Sequence, residues 1–361
     1  NFGLGGDFFT DLSYYFSNNI LFIINVLFIS FLKLFISLDT HQVMFWMNNA
    51  LIVSVFKGAI ALYCTFLYAH YLSKNKILSV FIAFLFVISP LYFRFTAYWP
   101  FFSDVFIWLP LLLLAIERAI QKQKSGLLIV TITLVLINNF YFAYYFLIIA
   151  SVYALIRIIF KHPNDNLTRF RTLCTLLIPA LLALGNSLFI FFHGVQSFLN
   201  NRRVSFSGNV PAFEHLNINT NIFFDNYLIV ILFLTIQSIL SFKLYKHYYY
   251  RLFVLLTLAL IIFTFIPLID QIFNGFSAPQ KRWHFILAFS SSLLIGLYVK
   301  YFRTVSIKSY ITTNLIAQLV IYISAYCYHK FLPWLILVPV VSIIGLLILF
   351  LKEKKVRIHL T

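Results

Sequence analysis

The chain has 361 residues, of which 62% are hydrophobic and only 10% charged, and its mean hydropathy is +0.92. Soluble domains carry about 25% charged residues, so composition argues against a soluble globular domain and predicts an integral membrane protein. The 27 Lys and Arg outnumber the 10 Asp and Glu, but they are scattered through short loops and form no patch, which argues against a nucleic-acid partner. Cys64, Cys174 and Cys327 stand far apart with no CxxC or metal-ligand spacing and read as inert thiols. No secretory signal pattern is visible, and a first residue of Asn1 rather than Met carries the expectation that sequence precedes it.

In chain order, residues 1–18 (NFGLGGDFFTDLSYYFSN) are polar, aromatic and glycine-rich. Asp7 and Asp11 there read as turn and cap residues, and the glycines do not form a nucleotide loop, because no strand precedes them. The stretch Asn19–Leu38 is apolar. From Met44 to Leu351 apolar runs alternate with short polar loops. One run, Leu127–Phe160, would be about 51 Å long as a single helix at about 1.5 Å per residue. The apolar core of a bilayer is only about 30 Å thick. The run is therefore expected to be two helices broken at Asn138-Asn139. The resulting expectation is an all-α polytopic membrane protein of about eleven spans in a single transmembrane domain, residues 1–361. Within it, residues 1–43 form a loop with an interfacial helix, 44–351 the spans, and 352–361 a tail.

Basic residues are enriched in cytoplasmic loops. Alternate loops, at 74–76, 118–124, 157–171, 243–251, 300–308 and 352–357, hold 19 of the Lys and Arg, and the remaining loops hold 6. This bias sets the lightly charged loops on the outer side of the plasma membrane. It leaves two solutions for Asn19–Leu38: a span that starts inside, or a helix lying along the outer surface. The outer face then collects FRFTAYWPFFSD (93–104), NNFYFAYY (138–145), the loop 193–225, and the polar stretch at 270–284 that contains QKRWH.

These blocks carry a resemblance. NFGLGGDFFTDLSYYFSNNILF, FFSDVFIWLPLLLLAIERAI, NNFYFAYYF and NGFSAPQKRWHF resemble, in the same order, segments of YfhO-type bacterial membrane proteins. The resemblance covers about the first 300 residues. It implies a GT-C glycosyltransferase fold, in which a sugar passes from a polyprenyl-phosphate donor to a cell-envelope polymer on the outer face. In YfhO relatives that donor is an undecaprenyl-phosphate sugar and the acceptor lipoteichoic or wall teichoic acid. The resemblance also makes Asn19–Leu38 the interfacial helix. The family's acidic motif lies upstream of the GLGG block, so this chain starts after it.

The candidate residues follow. Asp104, at the head of a helix, is the catalytic candidate: a carboxylate within reach of a sugar hydroxyl would assist its attack. The competing role is a helix cap. Arg282, and less so Lys281 and Arg94, are candidates to grip the donor phosphate, since a guanidinium makes paired hydrogen bonds to it. Their competing role is anchoring at the membrane interface. Trp283 would stack on sugar or prenyl chain. Asp270, Asn274, Asn139 and Tyr141 are pocket candidates. Lys57, inside a span, is expected either to be paired or to snorkel to the surface. His41, His193, His215, His284 and His329 show no ligand spacing, so no structural metal is expected, while paired aspartates holding Mg or Mn stay compatible with the chemistry. Two rival functions remain, a lipid-linked-sugar flippase or transporter and a non-catalytic partner in wall assembly.

Overall fold

The computed structural model describes residues 18–199, 206–213, 232–327, 329 and 333–358, with the side chains of 334 and 353–358 left aside. The GLGG block with Asp7 and Asp11, most of the loop 193–225 with Arg202, Arg203 and His215, and Lys330 lie outside the described residues.

Every element among the described residues is helical. The α-helices are α1 (Ile20–Leu32), α2 (Val43–Ser73), α3 (Lys76–Val87), α4 (Pro90–Tyr98), α5 (Val105–Lys122), α6 (Gly126–Asn138), α7 (Phe140–Ile159) and α8 (Arg169–Leu199). After them come α9 (Phe233–Leu240), α10 (Tyr248–Phe263), α11 (Pro267–Phe273), α12 (His284–Tyr301), α13 (Ile307–Cys327) and α14 (Leu337–Ile358). Short 3-10 turns at Pro100–Asp104 and Lys281–Trp283 lead into α5 and α12.

Among the described residues, six helices are long and apolar enough to cross a membrane by themselves, and the number rises to eight if each of two bent pairs, α3–α4 at 46° and α10–α11 at 104°, is one span. The expected eleven also counted α6, α9 and α14, whose described apolar stretches fall short of that length. The long run does break where bilayer thickness requires: Asn139 is extended (φ −161°, ψ 111°), ends α6, and caps α7 by accepting from the Phe142 amide at 3.0 Å. The 13 residues of α1 rise about 20 Å, short of a bilayer core, which suits a surface helix better than a span. Asn19 caps it through the Phe22 amide at 2.9 Å.

The described residues divide into two compact units. The first takes those up to Tyr71 and those from Phe95 to Phe206. Its hub is α5: with its leading turn, 89% of the most apolar stretch is buried, against 22% in α2 and α8. Helices α6, α7 and α8 pack around it. The second unit takes Leu72–Arg94 and the described residues from Ser207 onward. Its hub is α12, 78% buried over the same measure, with α3, α9 and α10 against it. Contacts within membranes depend on small residues and cross-helix hydrogen bonds, because lipid tails compete with apolar packing. Unit two uses both. Thr257 of α10 meets Ser290 of α12 at 2.5 Å. Asn314 and Gln318 of α13 donate to the Ser342 hydroxyl of α14 at 3.0 and 2.9 Å. Gly296 lets α3 approach α12 closely.

A methyl group at Gly296 would fall 2.2 Å from Ile82 Cγ1, whereas one at Gly185 in α8 meets nothing within 4 Å. Gly296→Ala is therefore expected to lower the thermal midpoint of the purified protein, by the roughly 1–3 kcal/mol typical of overpacking. Gly185→Ala should hold or raise it, by up to about 1 kcal/mol. Equal midpoints would show that Ile82 moves aside freely.

Candidate functional site

In unit one the sequence candidates converge on Asp104. It stands where a cap residue would, but its backbone is helical (φ −61°, ψ −24°) and its side chain makes no capping hydrogen bond. The capping role is therefore corrected. The carboxylate turns into the bundle instead. Its Oδ1 faces the Lys57 ammonium at 2.6 Å, and the two side chains are 3% and 7% exposed. Its Oδ2 accepts from Asn19 Nδ2 at 2.7 Å and from Asn138 Nδ2 at 3.2 Å. Lys57 also donates to the Pro100 carbonyl at 3.0 Å. Of the two expectations for Lys57, pairing is the one observed. The Asn138 side-chain oxygen, Oδ1, accepts from the Ile20 amide at 3.1 Å. Four segments, the start of α1, the middle of α2, the turn before α5 and the end of α6, are thus tied at one carboxylate.

The other candidates of this unit surround the centre. Asn139 is buried and committed to its cap. Tyr141 is buried, shares a 2.6 Å hydrogen bond with the Tyr145 hydroxyl, and stacks 6.5 Å from Phe102.

A second ionic centre escaped the sequence reading. Arg157, counted there as a loop cation, is fully buried in α7. It donates to Glu117 at 2.6 Å and to Asp165 at 2.9 Å. Tyr153 donates to the same Glu117 at 2.6 Å. Asp165 also accepts from the His162 amide at 2.9 Å, which folds the connecting loop onto the helix ends. In that loop burial holds the His162 imidazole below its ordinary pKa, an effect Asp165 opposes. The signal available beforehand was Glu117 itself, a charge inside an apolar run. Glu117 lies 13 residues beyond Asp104 on α5, about 20 Å along the axis. The two ionic centres therefore sit well apart in the same unit.

In unit two, α11 turns back through a tight loop in which Gly275 and Phe276 are both left-handed (φ +63° and +59°). Asn274 closes that loop by donating to the Ala278 carbonyl at 2.7 Å. Asp270 accepts from Trp283 Nε1 at 2.6 Å, and both are buried. Trp283 is fully buried with its ring stacked on Phe273 at 5.5 Å. The stacking surface expected of Trp283 is taken by the protein, and Asp270 serves the indole. Lys281 and Arg282 are half-buried in the turn leading into α12, and Arg94 is half-buried in α4. No group of three or more His, Cys, Asp or Glu among the described residues is arranged to hold a metal ion.

Fold and site together define a polytopic all-α membrane protein whose spans hold buried ion pairs. A family profile described as "Bacterial membrane protein YfhO" matches residues 1–361, and the chain belongs to that family. It is also 37% identical over 292 residues to the "Uncharacterized protein YfhO" of Bacillus subtilis (strain 168), covering 80% of this chain and 33% of that protein. The chain thus spans about a third of the length of the curated relative it matches. No solved structure matches it.

Removing one partner of a buried ion pair strands the other and costs about 3–5 kcal/mol, whereas replacing both with apolar groups is often close to neutral. Lys57→Met and Asp104→Leu are each expected to destabilise the protein by that amount, and the double variant to recover most of the loss in thermal unfolding. Additive losses would show that the two side chains are not coupled.

Proposed function

We propose that this protein takes part in lipid-linked sugar transfer at the outer face of the membrane, moving a sugar from a polyprenyl-phosphate donor to a cell-envelope polymer of the teichoic acid type. The observation that carries this reading is the placement of Lys281 and Arg282 in the turn that leads directly into the N-terminus of α12, within a span of 24 residues. A helix N-terminus favours an anion through its free amides and its dipole. Two cations at that point, at the end of a membrane-crossing segment, suit a lipid phosphate at headgroup depth. A guanidinium there can make two parallel bonds to phosphate oxygens, which an ammonium cannot reproduce. Family membership and the ordered sequence blocks support the same direction.

Asp104 fits an organising role in this chemistry better than that of the proton acceptor. One of its oxygens faces an ammonium and the other accepts from two amides, so both are already engaged within the bundle. The transporter reading gains little from the polar side chains inside unit two, because Asn314, Gln318 and Ser342 are bonded to one another, as helix-joining groups are.

Orientation is tested by labelling single cysteines in a cysteine-free background with an impermeant thiol reagent on intact cells. Positions Ser207 and Ser277 are exposed and should react. Lys124 and Lys161, also exposed, should not. The reverse pattern would place the site on the cytoplasmic side.

Donor turnover by the reconstituted full-length protein tests the phosphate grip. Losing a charge-assisted hydrogen bond costs roughly 1.5–3 kcal/mol, about 10- to 150-fold in rate. Arg282→Ala is expected to lose that much, Arg282→Lys less, and Lys281→Ala least. A normal Arg282→Ala alongside an impaired Lys281→Ala would reassign the contact.

A further inference from the structure

The end of α12 farthest from Arg282 collects basic residues from several elements of unit two. His247, at the cap position of α10, lies flat on Tyr301, with ring centroids 3.7 Å apart and planes 2° apart. The Lys300 ammonium lies over the same tyrosine, 5.3 Å from its centroid, within cation–π range. Lys246 and Lys300 both reach the imidazole electrostatically: burial first, and then these two charges, hold the His247 pKa below its ordinary value. Lys74, just before α3, lies close enough to Lys300 to repel it. Lys352 of α14 donates to the Arg303 carbonyl, which brings a further ammonium to this end.

Like charges so placed repel one another. The described side chains of unit two include one carboxylate, Asp270. It is bonded to Trp283, 17 residues before Lys300 and so about 25 Å away along α12. His247 makes no capping bond, and its Nε2 is enclosed without a hydrogen-bond partner among the described residues. The positive end of the α10 dipole adds to the same field. The cluster therefore lacks an anion.

Depth narrows the choice of anion. Lys300 follows Arg282 by 18 residues within one 24-residue span, about 27 Å along the axis, close to the thickness of the hydrocarbon core. Tyrosines crowd the same level. Tyr250 packs against Tyr245 at 6.1 Å and Tyr301 at 6.5 Å, and Tyr248 meets Tyr249 at 5.2 Å. Tyrosine gathers where hydrocarbon meets headgroups, and basic pockets between spanning helices at that level take anionic headgroups.

We propose that Lys246, Lys300 and the start of α10 form a seat for the phosphodiester of an anionic glycerophospholipid in the leaflet opposite Arg282. Both lysines are exposed and can close on a headgroup arriving from the bilayer. Neither Asp104 nor Arg282 takes part, so the seat stands apart from the proposed sugar transfer.

The test is native mass spectrometry of the full-length protein in a neutral maltoside detergent, titrated with phosphatidylglycerol or with phosphatidylcholine of the same chains. The first phosphatidylglycerol should bind several-fold more tightly than phosphatidylcholine. Lys246→Gln and Lys300→Gln should each weaken it about fivefold, the factor one basic residue contributes near an anionic lipid surface, and the double variant about 25-fold. Lys124→Gln combined with Arg171→Gln removes the same charge from exposed positions of unit one and should leave the affinity unchanged. Equal losses in the two double variants overturn the seat, since net charge alone would then explain the binding. Equal affinity for the two lipids overturns it as well. Inorganic phosphate should displace no more lipid than sodium chloride of the same ionic strength. A larger displacement would make the cluster a site for a soluble phosphate and overturn the lipid assignment. If the Lys246→Gln/Lys300→Gln protein does not fold, Lys246→Gln against Lys124→Gln decides.

Discussion

The first unit depends on one buried ion pair. Moving an ammonium and a carboxylate out of water costs several kcal/mol each, and their attraction offsets this only when geometry is good and the remaining lone pairs are satisfied. At Lys57 and Asp104 the charges stand 2.6 Å apart, Asn19 and Asn138 fill the second carboxylate oxygen, and the Pro100 carbonyl accepts from the ammonium. These groups come from segments 34 to 85 residues apart in sequence. The arrangement that discharges the electrostatic cost is also the one that docks α1 onto the bundle and fixes the junction of α6 and α7. Specificity here follows from expense: few other packings would leave both charges satisfied.

The two units solve the problem of polar groups among apolar helices differently. Unit one buries formal charges and pairs them locally, at Lys57–Asp104 and at Glu117–Arg157–Asp165, where one guanidinium serves two carboxylates. Unit two joins its helices with hydroxyls and amides, as at Thr257–Ser290 and Asn314–Ser342. Contacts of the second kind cost less to break one at a time.

What the sequence made legible was whatever a single segment must obey. The break at Asn138-Asn139 follows from helix rise against bilayer thickness, and Lys57 announces itself as an intramembrane charge. Partners across the chain were illegible: nothing local to Asp104 says that Asn19 will reach it, and its place at a helix start suggested a cap that the backbone does not use. Arg157 read as a loop cation because it ends an apolar run, yet α7 continues past it and buries it. Trp283 sits in a loop rich in polar residues and so read as a ligand platform. The loop instead folds back on itself through two left-handed residues and covers the indole. The number of spans was legible only within limits, because a hydrophobic run records apolarity and not whether the helix within it is long, bent or short.

The brevity of α6 has a consequence for the membrane itself. Its 13 residues rise about 20 Å, roughly 10 Å less than the hydrocarbon thickness, and its far end carries Asn138 and Asn139 beside Asp104. A helix that short makes the surrounding lipid thin or brings polar groups and water below the headgroup plane, at a cost of fractions of a kcal/mol per Å. With Asn138, Asn139 and Asp104 buried and bonded within the protein, thinning of the surrounding lipid is the response left. The bilayer should therefore be dimpled at this edge of the protein. In that dimple the aqueous phase stands nearer to the buried ion pair than it would beside a full-length span.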